Sequence, residues 1–249
     1  MRCAVGVVRA WELARTEGDD GPMKAASLVK PVLAHLALAL IDELDAPFRD
    51  DITVRHVLSH TTGLPNWREG TELIALRPPG TRWGYSGEGF VLLQGELERR
   101  TGRPIDELAA ELVFEPLGMR ATRFDDPEPG FHGSRPLLTT GADYGRFLAH
   151  ALTCDDERWA PQWQIDDELA WGAGWGLELG SPRYAWQWGL DLDAANFMIG
   201  CRETGDGVVV FTDDPDGRAR YREIVERVLP GDHPSLRVEH NHAWLALVT

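Results

Sequence analysis

The chain contains two lysines, Lys24 and Lys30, against twenty-three arginines. Lys30 stands inside the apolar run Ala25-Ala26-Ser27-Leu28-Val29-Lys30-Pro31-Val32-Leu33-Ala34, three residues after Ser27. Arginine keeps its proton at any workable pH, whereas a desolvated lysine can release it and act as a base. Residues three apart on a helix share a face. Ser27 and Lys30 therefore have the types and spacing of a nucleophile paired with an amine that takes its proton. The other reading of Lys30 is a snorkelling side chain whose ammonium stays in water.

The elements that must position this pair follow from periodicity. Cys3–Arg15 reads as one or two strands, ended by the turn cluster Glu17-Gly18-Asp19-Asp20-Gly21-Pro22. A helix is expected from about Ser27 to Leu44, with Val29, Leu33, Leu36 and Leu40 at helical spacing. Pro31 falls in its first turn, where a missing N–H is harmless, so Ser27 sits at the positive end of the helix dipole. Ile52–Leu58, Phe90–Arg100, Ile105–Phe114 and Tyr144–Leu152 read as further helices, the last capped from Thr140. Gly174–Leu179, Tyr184–Trp188, Ala195–Cys201 and Gly207–Thr212 read as antiparallel strands, followed by a helix over Arg218–Leu229. The alternating tail Leu236–Val248 is expected to add an edge strand. Sheet, helical middle and sheet again imply an α/β body with a helical insertion.

Bulk properties narrow the function. The 249 residues carry a net charge of −15, which disfavours nucleic acid and anionic membranes as partners. No stretch approaches the ~20 apolar residues of a membrane span. Arg9, Glu12 and Arg15 interrupt the first apolar patch too early for a secretory signal core. Three unclustered cysteines suggest neither a disulfide framework nor a metal knuckle, so the expected location is cytoplasmic.

Five ordered segments then resemble one family. Ser27-Leu28-Val29-Lys30 looks like the S-x-x-K motif of the serine β-lactamase and penicillin-binding-protein superfamily. Ile52–Pro65, Pro79–Gly87, Phe114–Met119 and Gly174–Leu177 are similar, in order, to segments of its class C β-lactamase and esterase branch. The resemblance implies an α+β fold of the β-lactamase/transpeptidase type: an antiparallel sheet flanked by helices, with an inserted, mainly helical subdomain. The body would comprise residues 1–45 and 140–249, and the insertion residues 46–139.

By the same resemblance, Ser27 is the nucleophile, and Lys30 and Tyr85 share the proton transfers. The backbone N–H groups of Ser27 and Leu190 form the oxyanion hole. Tyr85 suits its role if an adjacent ammonium lowers its pKa. Two positions depart from the pattern. Gly87 ends the Tyr-x-Asn motif without an amide side chain, and Gln187-Trp188-Gly189 replaces the usual Lys-Thr-Gly or His-x-Gly. Gln187 cannot give a substrate carboxylate a positive charge, so a true β-lactamase is not expected. Gly87, Gln187, Trp188 and Gly189 are the expected substrate-binding positions, with Trp188 in the pocket.

The function expected is an acyl-enzyme hydrolase of a small ester or amide, without metal or cofactor. The alternatives are transfer of the acyl group to an amine or alcohol acceptor, and a non-catalytic binding homologue. Outside this constellation, His60 reads as a loop brace and His240-Asn241-His242 as a solvated edge rather than a metal pair. Six of the ten tryptophans fall between Trp159 and Trp188, and most of these, like Trp67, read as packing.

Overall fold

The computed structural model describes residues 1–126 and 134–240. Cys3–Arg9 (β1) is Cys-Ala-Val-Gly-Val-Val-Arg, and its five inner residues are buried, as in a strand covered on both faces. Glu12–Gly18 (β2) is charged and mostly exposed, as suits a sheet edge. Ala10 (φ 48°) and Trp11 (φ 63°) join them in the left-handed turn that matches strand twist.

A short strand, Met23–Lys24 (β3), leads into a 3-10 turn over Ala26–Leu28 and then into Val29–Leu40 (α1). Eight of the twelve residues of α1 are buried, so this helix runs through the middle of the molecule. It ends four residues before the expected Leu44, because Ile41 turns to extended backbone (φ −125°, ψ 106°). Pro47–Arg49 (β4) and Ile52–Thr53 (β5) form a small ribbon, and Val54–Leu58 (α2) follows. A reciprocal cap starts α2: Thr53 Oγ1 accepts from His56 N, and His56 Nδ1 accepts from Thr53 N, both at 3.2 Å. The expected helix over Ile52–Leu58 is thus a strand end followed by a capped helix.

Gly87–Thr101 (α3) and Ile105–Ala109 (α4) follow, the latter widening into a π-turn over Ala110–Phe114. Arg123–Phe124 (β6) and Leu137–Thr139 (β7) join β3 in a three-stranded sheet of order β3-β7-β6. Thr140 caps Gly141–Thr153 (α5), its hydroxyl accepting from Asp143 N at 3.1 Å.

The remaining strands are Trp163–Gln164 (β8), Leu169–Trp171 (β9), Gly176–Glu178 (β10), Tyr184–Asp191 (β11), Ala194–Cys201 (β12) and Gly207–Thr212 (β13). With β1 and β2 they build an eight-stranded antiparallel sheet of order β2-β1-β13-β12-β11-β10-β9-β8. The first strand therefore pairs with the last, from Cys3↔Thr212 to Val8↔Gly207. Alternation divides the side chains between two cores. Met198, Val209 and Phe211 join the core of α1, α3 and α5, while Phe197, Val208 and Val210 meet Arg218–Val228 (α6). The fold is α+β, an antiparallel sheet flanked by helices with an inserted helical subdomain.

Where an edge strand is expected from Leu236, the described residues are not extended. Pro234–His240 is a 3-10 helix, held where Ser235 N and Oγ donate to the buried Glu178 Oε1 at 3.1 and 2.6 Å. The remainder of that tail, and with it Asn241 and His242 of the His240–His242 pair, lies outside the described residues. Among the described residues no helix is long and apolar enough to cross a membrane.

Candidate active site

Ser27 occupies a turn that the backbone alone would not favour. Ala26 lies at φ 48°, a left-handed conformation that strains a residue with a Cβ. Long-range contacts hold it there. Ala25 N donates to Leu137 O at 2.8 Å, and Tyr144 on α5 donates its hydroxyl to Leu28 O at 2.6 Å. Asn196, buried on β12, donates Nδ2 to the carbonyls of Lys24 (2.9 Å) and Ala25 (3.2 Å), while its Oδ1 accepts from Thr212 N at 3.0 Å. Tyr144 and Asn196 were not legible as site residues, because they act from over a hundred residues away.

On the first turn of α1, Lys30 Nζ donates to Ser27 Oγ at 2.9 Å. Lys30 is 2% exposed, and burial pulls its pKa down to about 7. Three rings surround the amine: Tyr85, Phe90 and Trp67, with centroids 5.2, 5.7 and 5.8 Å from Nζ. The snorkelling alternative is therefore wrong. The ammonium points into the protein, at the serine.

Tyr85 comes from the loop before α3, which His60 braces as expected. His60 is buried at φ 55°, its Nδ1 accepts from Ser86 N at 3.1 Å, and its ring lies 4.2 Å from that of Tyr85. Burial and the Lys30 charge keep this imidazole neutral, so the proton is assigned to Nε2. The Tyr85 hydroxyl is buried beside Ser27 and Gln187, without a formed hydrogen bond. Burial raises its pKa, and the opposing pull of Ser27 and Gln187 is weaker. This corrects the expectation of a phenol acidified by a neighbouring ammonium: the phenol stays protonated.

The expected substrate positions divide. Gln187 is fully buried on β11, its Oε1 accepting from Trp188 N at 3.2 Å while its Nε2 has no partner. Trp188 does not enter the cleft; it packs on Tyr85, Trp171 and Trp186 at 5.5, 6.1 and 4.9 Å. Gly189 permits close approach, since a Cβ there would lie 2.5 Å from Ala25 O. This brings β11, and with it Leu190, against the serine turn. A Cβ on Gly87 would lie 2.5 to 2.7 Å from three ring carbons of Trp67. The side chain missing from Gly87 is thus replaced in space by an indole from another loop.

A cleft of about 630 Å³ opens on Ser27 and Lys30 and is lined also by Trp67, Leu138, Leu190 and Leu192. Asp125, Asp126, Asp191 and Asp193 add carboxylates, against Lys24 as the other cation, and Lys24 is salt-bridged to Asp193. Among the described lining residues the carboxylates outnumber the cations.

Among the described residues one group has the composition of a metal site: His35 on α1 with His150 and Cys154 at the end of α5, ligand atoms within 4.8 Å of one another. Buried Arg158 donates to His35 Nδ1 at 3.1 Å, placing a fixed positive charge on the group. Burial and Arg158 hold the His35 pKa at about 4. A neutral plug between helices suits this arrangement better than a cation does.

Relatives share the framework. The chain is 30% identical over 166 residues to Esterase EstB of Burkholderia gladioli, a match covering 47% of this chain and 42% of that protein. It is 24% identical over 196 residues to the D-alanyl-D-alanine-carboxypeptidase/endopeptidase AmpH of Escherichia coli, covering 59% and 50%. These matches span half or less of the relatives' length. A solved beta-lactamase from Mycobacterium bovis superimposes with a TM-score of 0.73 over 91% of this chain and 94% of that one, at 24% identity, and so shares the fold. The sequence pattern of the family described as Beta-lactamase matches residues 18–229, and the chain belongs to that family.

Proposed function

We propose that the protein is a serine acyl-enzyme hydrolase of the class C β-lactamase-like esterase branch, acting on a small ester or amide. The observation that carries this reading is the 2.9 Å contact between Ser27 Oγ and a buried Lys30 amine that is half neutral near pH 7. Neutral Lys30 takes the Ser27 proton as Oγ attacks the acyl carbon. The oxyanion forms at the N–H groups of Ser27 and Leu190. Tyr85, held protonated, delivers a proton to the leaving group and recovers one from Lys30. Water then releases the acid. This assigns the base to Lys30 and the donor to Tyr85, because burial moves the two pKa values apart. The body of residues 1–45 and 140–249 carries the serine and lysine, and the insertion of 46–139 carries the tyrosine.

An ester is the preferred donor, in line with the relative named as an esterase. The uncharged Gln187 and the acidic cleft argue against a β-lactam acid. A second reading, transfer of the acyl group to an amine, is favoured by the same carboxylates, which attract a cationic acceptor. A new amide in place of free acid, when amines are added, selects it.

Incubation with an activated ester or a fluorophosphonate should give one covalent adduct by intact mass, mapped to Ser27 and absent in Ser27→Ala. If no adduct forms with any activated ester, the protein is a non-catalytic homologue. The rate of adduct formation should also rise with pH through about 7 and then level off, since deprotonation of Lys30 creates the base. A rate that is flat or falling between about pH 5 and 9 removes Lys30 from that role.

A further inference from the structure

We infer that Trp67 is a positioning residue for Lys30: its indole lies over the start of α3 where Gly87 has no side chain, keeps water off the Lys30 amine, and leaves Ser27 Oγ as that amine's hydrogen-bond partner. This rests on the acyl-enzyme reading for its functional meaning, but not for its geometry.

Trp67 is 44% exposed, and nothing in its own type would fix such a side chain. Its two neighbours do. Asn66 accepts Gly87 N on both its carbonyl and its Oδ1, each at 3.0 Å, and its carbonyl also accepts Glu88 N at 3.1 Å. Arg68 grips the fully buried Glu88 through its backbone N (3.1 Å), Nε (3.0 Å) and Nη2 (2.6 Å). The residue between these clamps is forced across the first turn of α3. There the ring centroid comes within 5.8 Å of Lys30 Nζ, and the ring carbons take the volume a Cβ on Gly87 would need. Its outer face lines the cleft that opens on Ser27.

A ring in this place acts on the lysine in two ways. It excludes water, which favours the neutral amine. It also offers a π-face, which favours the ammonium more weakly at a partly exposed site. Removing the ring should therefore raise the lysine's pKa. The titratable groups near Nζ are Tyr85 and His60, both buried and both uncharged at neutral pH, and the cleft adds Lys24 and its carboxylates.

The chain's two lysines make the test direct. Protein labelled with 13C at lysine Cε gives two resonances, Lys24 and Lys30, and each can be titrated without any substrate. Trp67→Ala should raise the Lys30 midpoint from about 7 by about one pH unit or more. Trp67→Phe, which keeps a smaller ring, should fall between. Gly87→Ala should reproduce Trp67→Ala, because the new methyl expels the half-exposed indole. The double variant should shift no further than either single one. The pH dependence of Ser27 adduct formation should move with the titration. An unchanged Lys30 midpoint in Trp67→Ala, or additive shifts in the double variant, overturns the inference. If the Lys30 titration shifts as expected but no variant, wild type included, forms an adduct, the positioning stands and the acyl-enzyme reading falls.

Discussion

Lys30→Met should lower the rate of Ser27 adduct formation by about a thousandfold or more and, at pH 7, make the protein more stable. Both effects have one origin. The lysine's pKa falls from 10.5 in the unfolded chain to about 7 in the folded protein, so folding disfavours its charged form. A group depressed in this way penalises the fold fully below the folded value, and the penalty disappears as pH rises to the unfolded value. At pH 7 the penalty is on the order of 5 kcal/mol. Methionine has a similar length and no charge. Its substitution forfeits the Nζ–Oγ hydrogen bond, about 1 kcal/mol, and packs imperfectly for about 1 kcal/mol more. A net gain of about 2–3 kcal/mol remains, or roughly 5–10 °C in Tm for a chain of this size. The gain must shrink between about pH 7 and pH 10.5, as the wild-type lysine discharges in both states. Urea melts of both proteins across that range measure it. A variant that is less stable at pH 7, by an amount independent of pH, would mean that Lys30 is not held neutral by burial.

A lysine buried at a cost to stability marks which parts of the site were legible in the sequence. A lysine three residues from a serine inside an apolar run is a local anomaly, and local anomalies can be read without a fold. The same holds for His60, whose turn sits beside a helix end. The helices were legible from their period, and the strands β11, β12 and β13 as short, nearly continuous buried runs bounded by turns.

What failed was non-local. Asn196 looks like one more residue in a buried strand, and only pairing across 172 positions shows it holding Lys24 O. Trp67 reads as packing until Asn66 and Arg68 are seen clamping the helix that begins at Gly87. The described start of the tail, from Leu236 to His240, is a 3-10 helix although its sequence alternates as a strand's does. The buried carboxylate of Glu178 ties its start down through Ser235 instead, with His233 Nδ1 at 3.1 Å. For Tyr85 the position was legible and the electrostatics were not. Charge proximity can be guessed from a motif, but desolvation depends on the whole surround, and here desolvation is the larger effect.

Gly189→Ala should reduce Ser27 adduct formation by about a hundredfold or more, although it adds a single methyl group outside the Ser27–Lys30–Tyr85 set. The new Cβ would lie 2.5 Å from Ala25 O, 3.2 Å from Asn196 Nδ2 and 3.2 Å from Leu28 Cγ. Neither side yields easily. On one side, β11 is paired with β12 along its whole length, from Tyr184↔Cys201 to Asp191↔Ala194. On the other, the Ala25 carbonyl closes the serine turn, accepting from Leu28 N at 3.0 Å and from Asn196 Nδ2. The methyl group must push that carbonyl away, and the turn carries Ser27 with it. Ser27 Oγ then leaves Lys30, and the oxyanion hole proposed at the Ser27 and Leu190 N–H groups is pulled apart. Overpacking of this kind costs about 1–3 kcal/mol, so the variant should fold with a lowered Tm. Gly95→Ala is the control. Gly95 lies on the exposed face of α3 with nothing within 4 Å of its Cβ position, so alanine there should add up to about 1 kcal/mol of stability and leave the adduct rate unchanged. A Gly189→Ala protein that forms the Ser27 adduct at the wild-type rate would show that the serine turn does not depend on its seat against β11.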